Sequence, residues 1–170
     1  MDYKAVYGQM HARNPKAFSG YSIKDHVQQI AELVRTYSPM RLLDYGSGKG
    51  YQYLQRRVQY HWGGMLPHCY DPGVPQLREK PEGKFGGIIC TDVLEHIEET
   101  DVPGLLEDIF GYLEEGGFAY FCVAIRPAKR KRLPDGRDVH VTIKPREWWD
   151  RQLDAVKPLD AHVVVNYDEG

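Results

Sequence analysis

Residues 42–50 read LLDYGSGKG, an apolar run that leads into one acidic residue and three alternating glycines. The apolar run predicts a short buried strand, and the segment YQYLQRRV at 51–58 predicts a helix after the glycines. Glycine allows tight turns and lets another group approach the main chain closely. The stretch therefore predicts a strand, a turn and a helix, with a close contact at Gly46, Gly48 and Gly50.

Two phosphate-binding patterns fit this turn poorly. The pattern GxxxxGK[ST] needs a hydroxyl after its lysine, but Lys49 is followed by Gly50. The dinucleotide pattern GxGxxG, counted from Gly46, needs a third glycine where Tyr51 stands. The first pattern is absent and the second matches only in part.

Apolar strands and amphipathic helices alternate along the rest of the chain. Helices are expected from Ser22 to Ser38, from Asp101 to Gly116–Gly117, and after Pro145. Further strands are expected in PHCYDPG at 67–73, GGIICTDV at 86–93, FAYFCVAI at 118–125 and HVVVNY at 162–167. This alternation predicts one α/β domain over residues 1–170 with a Rossmann-like, open, mostly parallel sheet flanked by helices.

Composition narrows the classes of function. The net charge of −2 offers no field that would attract nucleic acid or an acidic membrane. The first residues lack the apolar core of a signal peptide, and no apolar run approaches the length of a membrane span. Three cysteines in or beside apolar runs, without a CxxC pair, indicate reduced buried thiols and no metal cluster. We therefore expect a cytoplasmic protein without a metal site.

Four motifs in order resemble those of the class I S-adenosylmethionine-dependent methyltransferases. They are DxGxGxG from Asp44 to Gly50, an acidic end of the second strand at Asp71, CTDVLEHI at 90–97, and YLEEGGFAYF at 112–121. The last two are similar to the small-molecule type (methyltransferase-11-like) that includes ubiquinone-pathway enzymes. The resemblance covers residues 40–126 and implies a short member of this superfamily.

The resemblance implies S-adenosyl-L-methionine as cofactor and S-adenosyl-L-homocysteine as product. Bare glycines would let the main chain approach the methionine and ribose portions closely. Asp44 would orient the turn or accept from the cofactor's amino group, and Asp71 would accept from the ribose hydroxyls. The cofactor-binding residues implied are Asp44, Gly46, Ser47, Gly48, Gly50, Asp71, Pro72, Thr91, Asp92 and Val93.

The chain departs from the family pattern after Asp71. Only 14 residues separate Asp71 from Gly86, with prolines at 72, 75 and 81, whereas a helix, a strand and another helix need about 30 or more. The third strand is therefore expected to be reduced or missing. That would leave the second strand near a sheet edge, which a second copy of the chain can cover, so a homo-oligomer is expected.

Two histidines are candidate general bases, because a neutral imidazole accepts protons near neutral pH. His96 follows the strand at 86–93, and His140 follows the polar loop after the strand at 118–125. Residues 1–38 are expected to form an N-terminal lid and helix segment ahead of the core at 39–170. Within this segment Tyr7, His11 and Tyr21 are candidate substrate contacts. The basic run at 129–132 is either a solvated loop or a contact for an acidic substrate.

Three functions remain open from the sequence. The first is methyl transfer to an oxygen or nitrogen of a small polar molecule, such as a sugar, a nucleotide-linked sugar or a natural-product intermediate. A nucleic-acid methyltransferase is less well supported, because TDVL at 91–94 replaces the [DNS]PP[YFW] signature and the charge is near neutral. The third is a non-catalytic partner subunit that binds S-adenosylmethionine.

Overall fold

Five parallel strands form one sheet in the computed structural model, which describes residues 2–13, 18–129 and 131–170. The strand order is β2-β1-β3-β4-β5, and every neighbouring pair is parallel. The strands are β1 (Leu42–Tyr45), β2 (His68–Tyr70), β3 (Phe85–Thr91), β4 (Leu113–Ala124) and β5 (His162–Asp168). This arrangement confirms the predicted Rossmann-like α/β sheet.

Helices cover both faces of the sheet. The α-helices are α1 (Tyr3–Arg13), α2 (Val27–Tyr37), α3 (Tyr51–Leu54), α4 (Val102–Phe110) and α5 (Arg146–Val156). Side chains alternate between the faces of β3, so Ile89 packs with α2 while Ile88 packs with α4 and α5. Trp149 of α5 is fully buried in the same apolar cluster as Ile88. The sheet therefore holds the carboxyl ends of its strands in fixed positions between two apolar layers.

The connection between β2 and β3 contains no further strand. Residues 71–84 are all described and form only turns and bends. The expectation that the third strand is reduced or missing is therefore confirmed, and β2 lies at an edge of the sheet.

The expected helix from Asp101 to Gly116–Gly117 is wrong at its carboxyl end. The helix α4 ends at Phe110, and Leu113 already belongs to β4, where it pairs with Phe85. The N–H of Phe85 donates to the carbonyl of Tyr112 over 2.8 Å. Pairing with β3 thus draws the segment after Phe110 into the sheet.

Two other helix boundaries also differ from expectation. The helix after the glycines spans only Tyr51–Leu54, because Arg57 adopts a left-handed conformation with φ 54° and a 3₁₀ turn follows at Val58–Trp62. The segment around Ser22 is a 3₁₀ turn, Tyr21–Asp25, and the α-helix begins at Val27.

The N-terminal helix α1 packs on the loop that joins β4 to α5, residues 125–145. Val6, Tyr7 and Met10 of α1 contact a small apolar cluster of that loop, Ala128, Leu133 and Val139. The cysteines are free as predicted, with Cys90 and Cys122 buried and Cys69 partly buried. Among the described helices, none has the length and apolar character needed to cross a membrane.

Candidate functional site

A cavity of about 250 Å³ lies beyond the carboxyl ends of β1, β2 and β3. Parallel α/β sheets commonly bind ligands at this position. The structure brings together eleven of the predicted site residues there: Tyr7, His11, Tyr21, Gly46, Gly48, Asp71, Pro72, Thr91, Asp92, Val93 and His96. Four predicted residues do not line it: Asp44, Ser47, Gly50 and His140.

The glycine turn after β1 meets neighbouring protein segments closely. A Cβ on Gly46 would lie 2.3 Å from Val93 Cγ2, and one on Gly48 would lie 2.3 Å from the carbonyl oxygen of Phe18. Both glycines have positive φ, 79° and 58°. The missing side chains thus make room for contacts within the chain, and the turn presents its main chain to the cavity.

Asp71 holds the turn from the end of β2. Its Oδ2 accepts from the N–H of Gly48 over 2.9 Å, and its Oδ1 accepts from the N–H of Gly73 over 2.8 Å. Burial raises the pKa of Asp71 to about 6. Each carboxylate oxygen can accept about two hydrogen bonds, so both oxygens retain capacity for donors in the cavity.

Asp44 acts beneath the turn. It is buried, and its Oδ2 accepts from Gln52 Nε2 over 3.0 Å and from the Tyr53 hydroxyl over 2.8 Å. Burial raises the pKa of Asp44 to about 6. The carboxylate therefore links β1 to α3. Of the two roles considered for Asp44, this arrangement fits the one in which it orients the turn.

The end of β3 turns sharply into the cavity. Asp92 has a φ of 56°, a left-handed conformation that is uncommon for residues other than glycine. Its N–H donates to the carbonyl of Cys122 over 3.0 Å, which anchors this bend to β4. The 3₁₀ turn Leu94–His96 follows and carries His96 to the cavity wall.

His96 is held in one neutral form. Its Nδ1 lies 2.8 Å from the carbonyl oxygen of Val139, and because a carbonyl only accepts, Nδ1 carries the proton. Burial lowers the pKa of His96 to about 4, with a smaller lowering from the charge of Lys131. At neutral pH the imidazole therefore has Nε2 as its acceptor nitrogen.

His140 lies behind His96. Its Nδ1 is 2.7 Å from the carbonyl oxygen of Arg126, and the two imidazole rings meet edge to face with centroids 5.1 Å apart. Ligand atoms of Glu95, His96 and His140 lie within 4.8 Å of one another, a spacing that can hold a metal ion although the sequence predicts none. Both histidines use Nδ1 for carbonyl bonds, which leaves one nitrogen on each.

The N-terminal segment closes the opposite side of the cavity. The Tyr7 hydroxyl donates to the carbonyl oxygen of His96 over 3.2 Å. His11 is buried, with Nε2 3.8 Å from Asp71 Oδ1 and no hydrogen-bond partner for Nδ1 among the described residues. Burial lowers the pKa of His11 to about 4, so the imidazole is neutral at pH 7 and this contact is not an ion pair.

Seven lining residues were absent from the predicted set: Tyr3, Phe18, Ser19, Gly20, Ser22, Ile97 and Lys131. Tyr3, Phe18 and Gly20 belong to the aromatic N-terminal segment, and Lys131 belongs to the basic run, so the sequence carried a signal for these four. Ile97 ends the motif CTDVLEHI, whereas nothing in the sequence marks Ser19 or Ser22 as a site residue.

Comparison with known proteins agrees with this geometry. A family model described as a methyltransferase domain matches residues 16–155, which include the cavity wall from Phe18 to Lys131 but not Tyr3, Tyr7 and His11 of α1. No curated protein and no solved structure gives a significant match. The match covers most of the chain, and with the parallel Rossmann-like sheet it shows that the protein belongs to the methyltransferase domain family.

Proposed function

We propose that the protein is an S-adenosylmethionine-dependent methyltransferase whose acceptor is an oxygen or nitrogen of a small polar molecule. The observation that carries this proposal is the meeting of two features in one cavity. One is the glycine turn with the buried acceptor Asp71, and the other is a neutral His96.

The residues around the turn fit this cofactor. The oxygens of Asp71 retain acceptor capacity that suits two neighbouring ribose hydroxyls. Gly46 and Gly48 present main chain without side chains, and Thr91, Asp92 and Val93 border the same space. When bound, S-adenosylmethionine supplies an electrophilic methyl group on its sulfonium.

The remaining side chains suit activation of an acceptor. Nε2 of His96 is free to accept a proton because Nδ1–H is committed to Val139, and since burial lowers its pKa it takes up the proton of a hydroxyl or amino group as that group bonds to the methyl carbon. Tyr7 contacts the main chain of His96, and the ring of His140 packs against its imidazole, so both position the base. The N-terminal segment limits access of water to the cavity.

The shape and charge of the protein support a small molecule as the class of acceptor. One side of the cavity is lined by the helix α1 and by residues 18–22, and the net charge is −2. Both features favour a small molecule over a nucleic acid, whose binding depends on many cationic contacts with phosphates. Filter binding with DNA and RNA at increasing salt separates these acceptors.

The proposal is tested by replacing His96. We expect His96→Gln to bind S-adenosylhomocysteine like the wild type in isothermal titration calorimetry, because the side chain acts on the acceptor. Transfer of a deuteriomethyl label into a metabolite extract should fall by about 100-fold or more, as for loss of a general base. His61→Gln changes an exposed histidine that does not line the cavity and should retain full transfer.

Three outcomes separate the alternatives. Absence of binding of both S-adenosylmethionine and S-adenosylhomocysteine to the wild type overturns the proposal. Tight binding without label transfer into any extract indicates the non-catalytic partner subunit instead. Loss of transfer on addition of a chelator would assign Glu95, His96 and His140 to a metal ion and remove His96 from its role as base.

A further inference from the structure

Lys131 and Arg132 of the basic run at 129–132 lie in different environments. Arg132 forms an ion pair with Asp138, with Nη1 and Oδ2 3.2 Å apart, and the same nitrogen donates to the carbonyl of Ala128. A main-chain bond of 2.8 Å from Leu133 to Arg137 closes the hairpin between them. Arg132 is therefore a structural residue that fixes the loop beside the cavity.

Lys131 directs its charge at the cavity. It is exposed at the rim, yet its side chain lines the cavity and its Nζ lies 4.6 Å from the centroid of the Phe18 ring. Its charge also contributes to the lowered pKa values of His11 and His96. The charge of the ammonium group therefore acts on two histidines that line the cavity.

The ammonium group of Lys131 has no carboxylate partner within the described part of the chain. Two acids line the cavity, and of these Asp71 accepts from two main-chain N–H groups, while no ion pair joins Asp92 to Lys131 among the described residues. An aromatic face stabilises a cation only modestly at an exposed site. A cation held over such a face beside two neutral imidazoles is suited to an incoming anion.

We propose that the methyl acceptor carries an anionic group, a carboxylate or a phosphate, which pairs with Lys131. This inference rests on the proposed function and names the substrate class of the same site. The pairing places the rest of the acceptor between Lys131 and His96, with its nucleophilic oxygen or nitrogen toward the imidazole. Neutral analogues of equal shape then bind less well.

Matched probes test this inference through binding alone. The probes are D-glucose 6-phosphate against D-glucose, and 3-hydroxybenzoate against 3-hydroxybenzamide, titrated by ligand-observed NMR at low ionic strength with saturating S-adenosylhomocysteine. At least one anion should bind more tightly than its neutral counterpart. Lys131→Gln should weaken that anion about fivefold, the scale of an exposed ion pair, and leave the neutral counterpart unchanged.

Two further variants serve as controls. Lys131→Arg keeps the charge and should keep the preference for the anion, and Lys129→Gln removes an exposed charge from the same loop and should change nothing. Raising the salt concentration to 0.5 M should reduce the preference in the wild type, because exposed charges are screened over a few ångströms at that ionic strength.

The outcomes separate this inference from the proposed function. If neither anion binds better than its neutral counterpart, or if Lys131→Gln leaves the preference intact, the inference is wrong. Binding of S-adenosylhomocysteine, measured in the same samples, reports on the proposed function independently. Label transfer by the wild type to an acceptor without an anionic group, with no faster transfer to its anionic counterpart, would also overturn the inference.

Discussion

At the scale of single residues, Asp71 links two segments that are distant in sequence. The Asp-Pro-Gly turn that closes β2 placed this carboxylate near the sheet edge where ligands bind. Its hydrogen bond with the N–H of Gly48 depends on the pairing of β1 with β2. The sequence could therefore predict the position of Asp71, but only the folded chain shows that it also holds the glycine turn.

The raised pKa of Asp71 predicts a pH dependence of cofactor binding. Hydroxyl donors need the ionised carboxylate, which is lost as pH falls through about 6. Affinity for S-adenosylhomocysteine should therefore fall about tenfold between pH 7 and pH 5. Calorimetric titrations across this range measure the effect. Asp71→Asn should bind weakly with little change over the same range, whereas an equally steep pH dependence in this variant would contradict the role of Asp71.

The pH dependence of binding can be interpreted only if the protein stays folded between pH 7 and pH 5. His11 and His96 have pKa values of about 4, below the ordinary 6.5. They therefore lower the free energy of unfolding as pH falls from about 6.5 to 4. Asp44 and Asp71 have pKa values of about 6, above the ordinary 3.8, so they add stability over much of the same fall. The opposite signs offset each other, and circular dichroism at pH 5 checks that the protein remains folded.

The sequence predicts the position of one candidate base, His96, better than that of the other, His140. His96 follows a buried strand within a motif, so its place at the cavity follows from the sheet. His140 lies in the loop 125–145, which has no periodic pattern that fixes its path. The bond from His140 to the carbonyl of Arg126 sets its ring behind His96, and no sequence signal indicates that contact.

At the scale of elements, strands were easier to predict than helix ends. The strands β3 and β4 are apolar on both faces because helices cover both sides of the sheet, and their sequences show this directly. The ends of α3 and α4 depend instead on non-local contacts. Leu113 satisfies a helical spacing in the sequence, but pairing with Phe85 places it in β4.

The helix α1 gives an example of an element whose position depends on a loop. Val139 is fully buried in the cluster under α1. Val139→Ala should cost about 1–3 kcal/mol of packing. We expect faster amide hydrogen exchange across Tyr3–Arg13, measured by mass spectrometry, because this cluster supports α1 beside the cavity.

A matched change in the helix α2 checks that this effect is local. Val34→Ala removes the same atoms from α2, whose cluster does not include α1. It should lower the global stability without a selective increase in exchange at α1. Unchanged exchange at α1 in Val139→Ala would show that the helix is held by its other contacts alone.

At the scale of the whole molecule, the short connection after β2 leaves one edge of the sheet open. A groove of about 770 Å³ runs along this edge, lined in part by Leu54, Leu66 and Leu77. The count of 14 residues between Asp71 and Gly86 predicted the open edge. The groove itself could not be predicted, because Leu54 ends a helix that is shorter than expected and Leu66 follows the 3₁₀ turn Val58–Trp62, which the sequence did not indicate.

We propose this groove as the contact surface of the homo-oligomer that the sequence predicts. Leu54 and Leu66 are 73% and 62% exposed there, and charges of both signs lie beside them. Charges of both signs allow the same surface to contact itself across a two-fold axis. Covering an open strand edge and exposed leucines stabilises such a contact.

We therefore expect a dimer of the 19.6 kDa chain in light scattering at micromolar concentration. Leu66→Glu should shift the mass to that of the monomer, because the desolvation of an unpaired charge at the centre of an interface outweighs the stabilisation from apolar contacts there. Leu159→Glu alters a fully exposed leucine in the turn before β5, away from the groove, and should leave the dimer intact. A monomeric mass for the wild type, or a dimer that survives Leu66→Glu, would show that β2 keeps an uncovered edge.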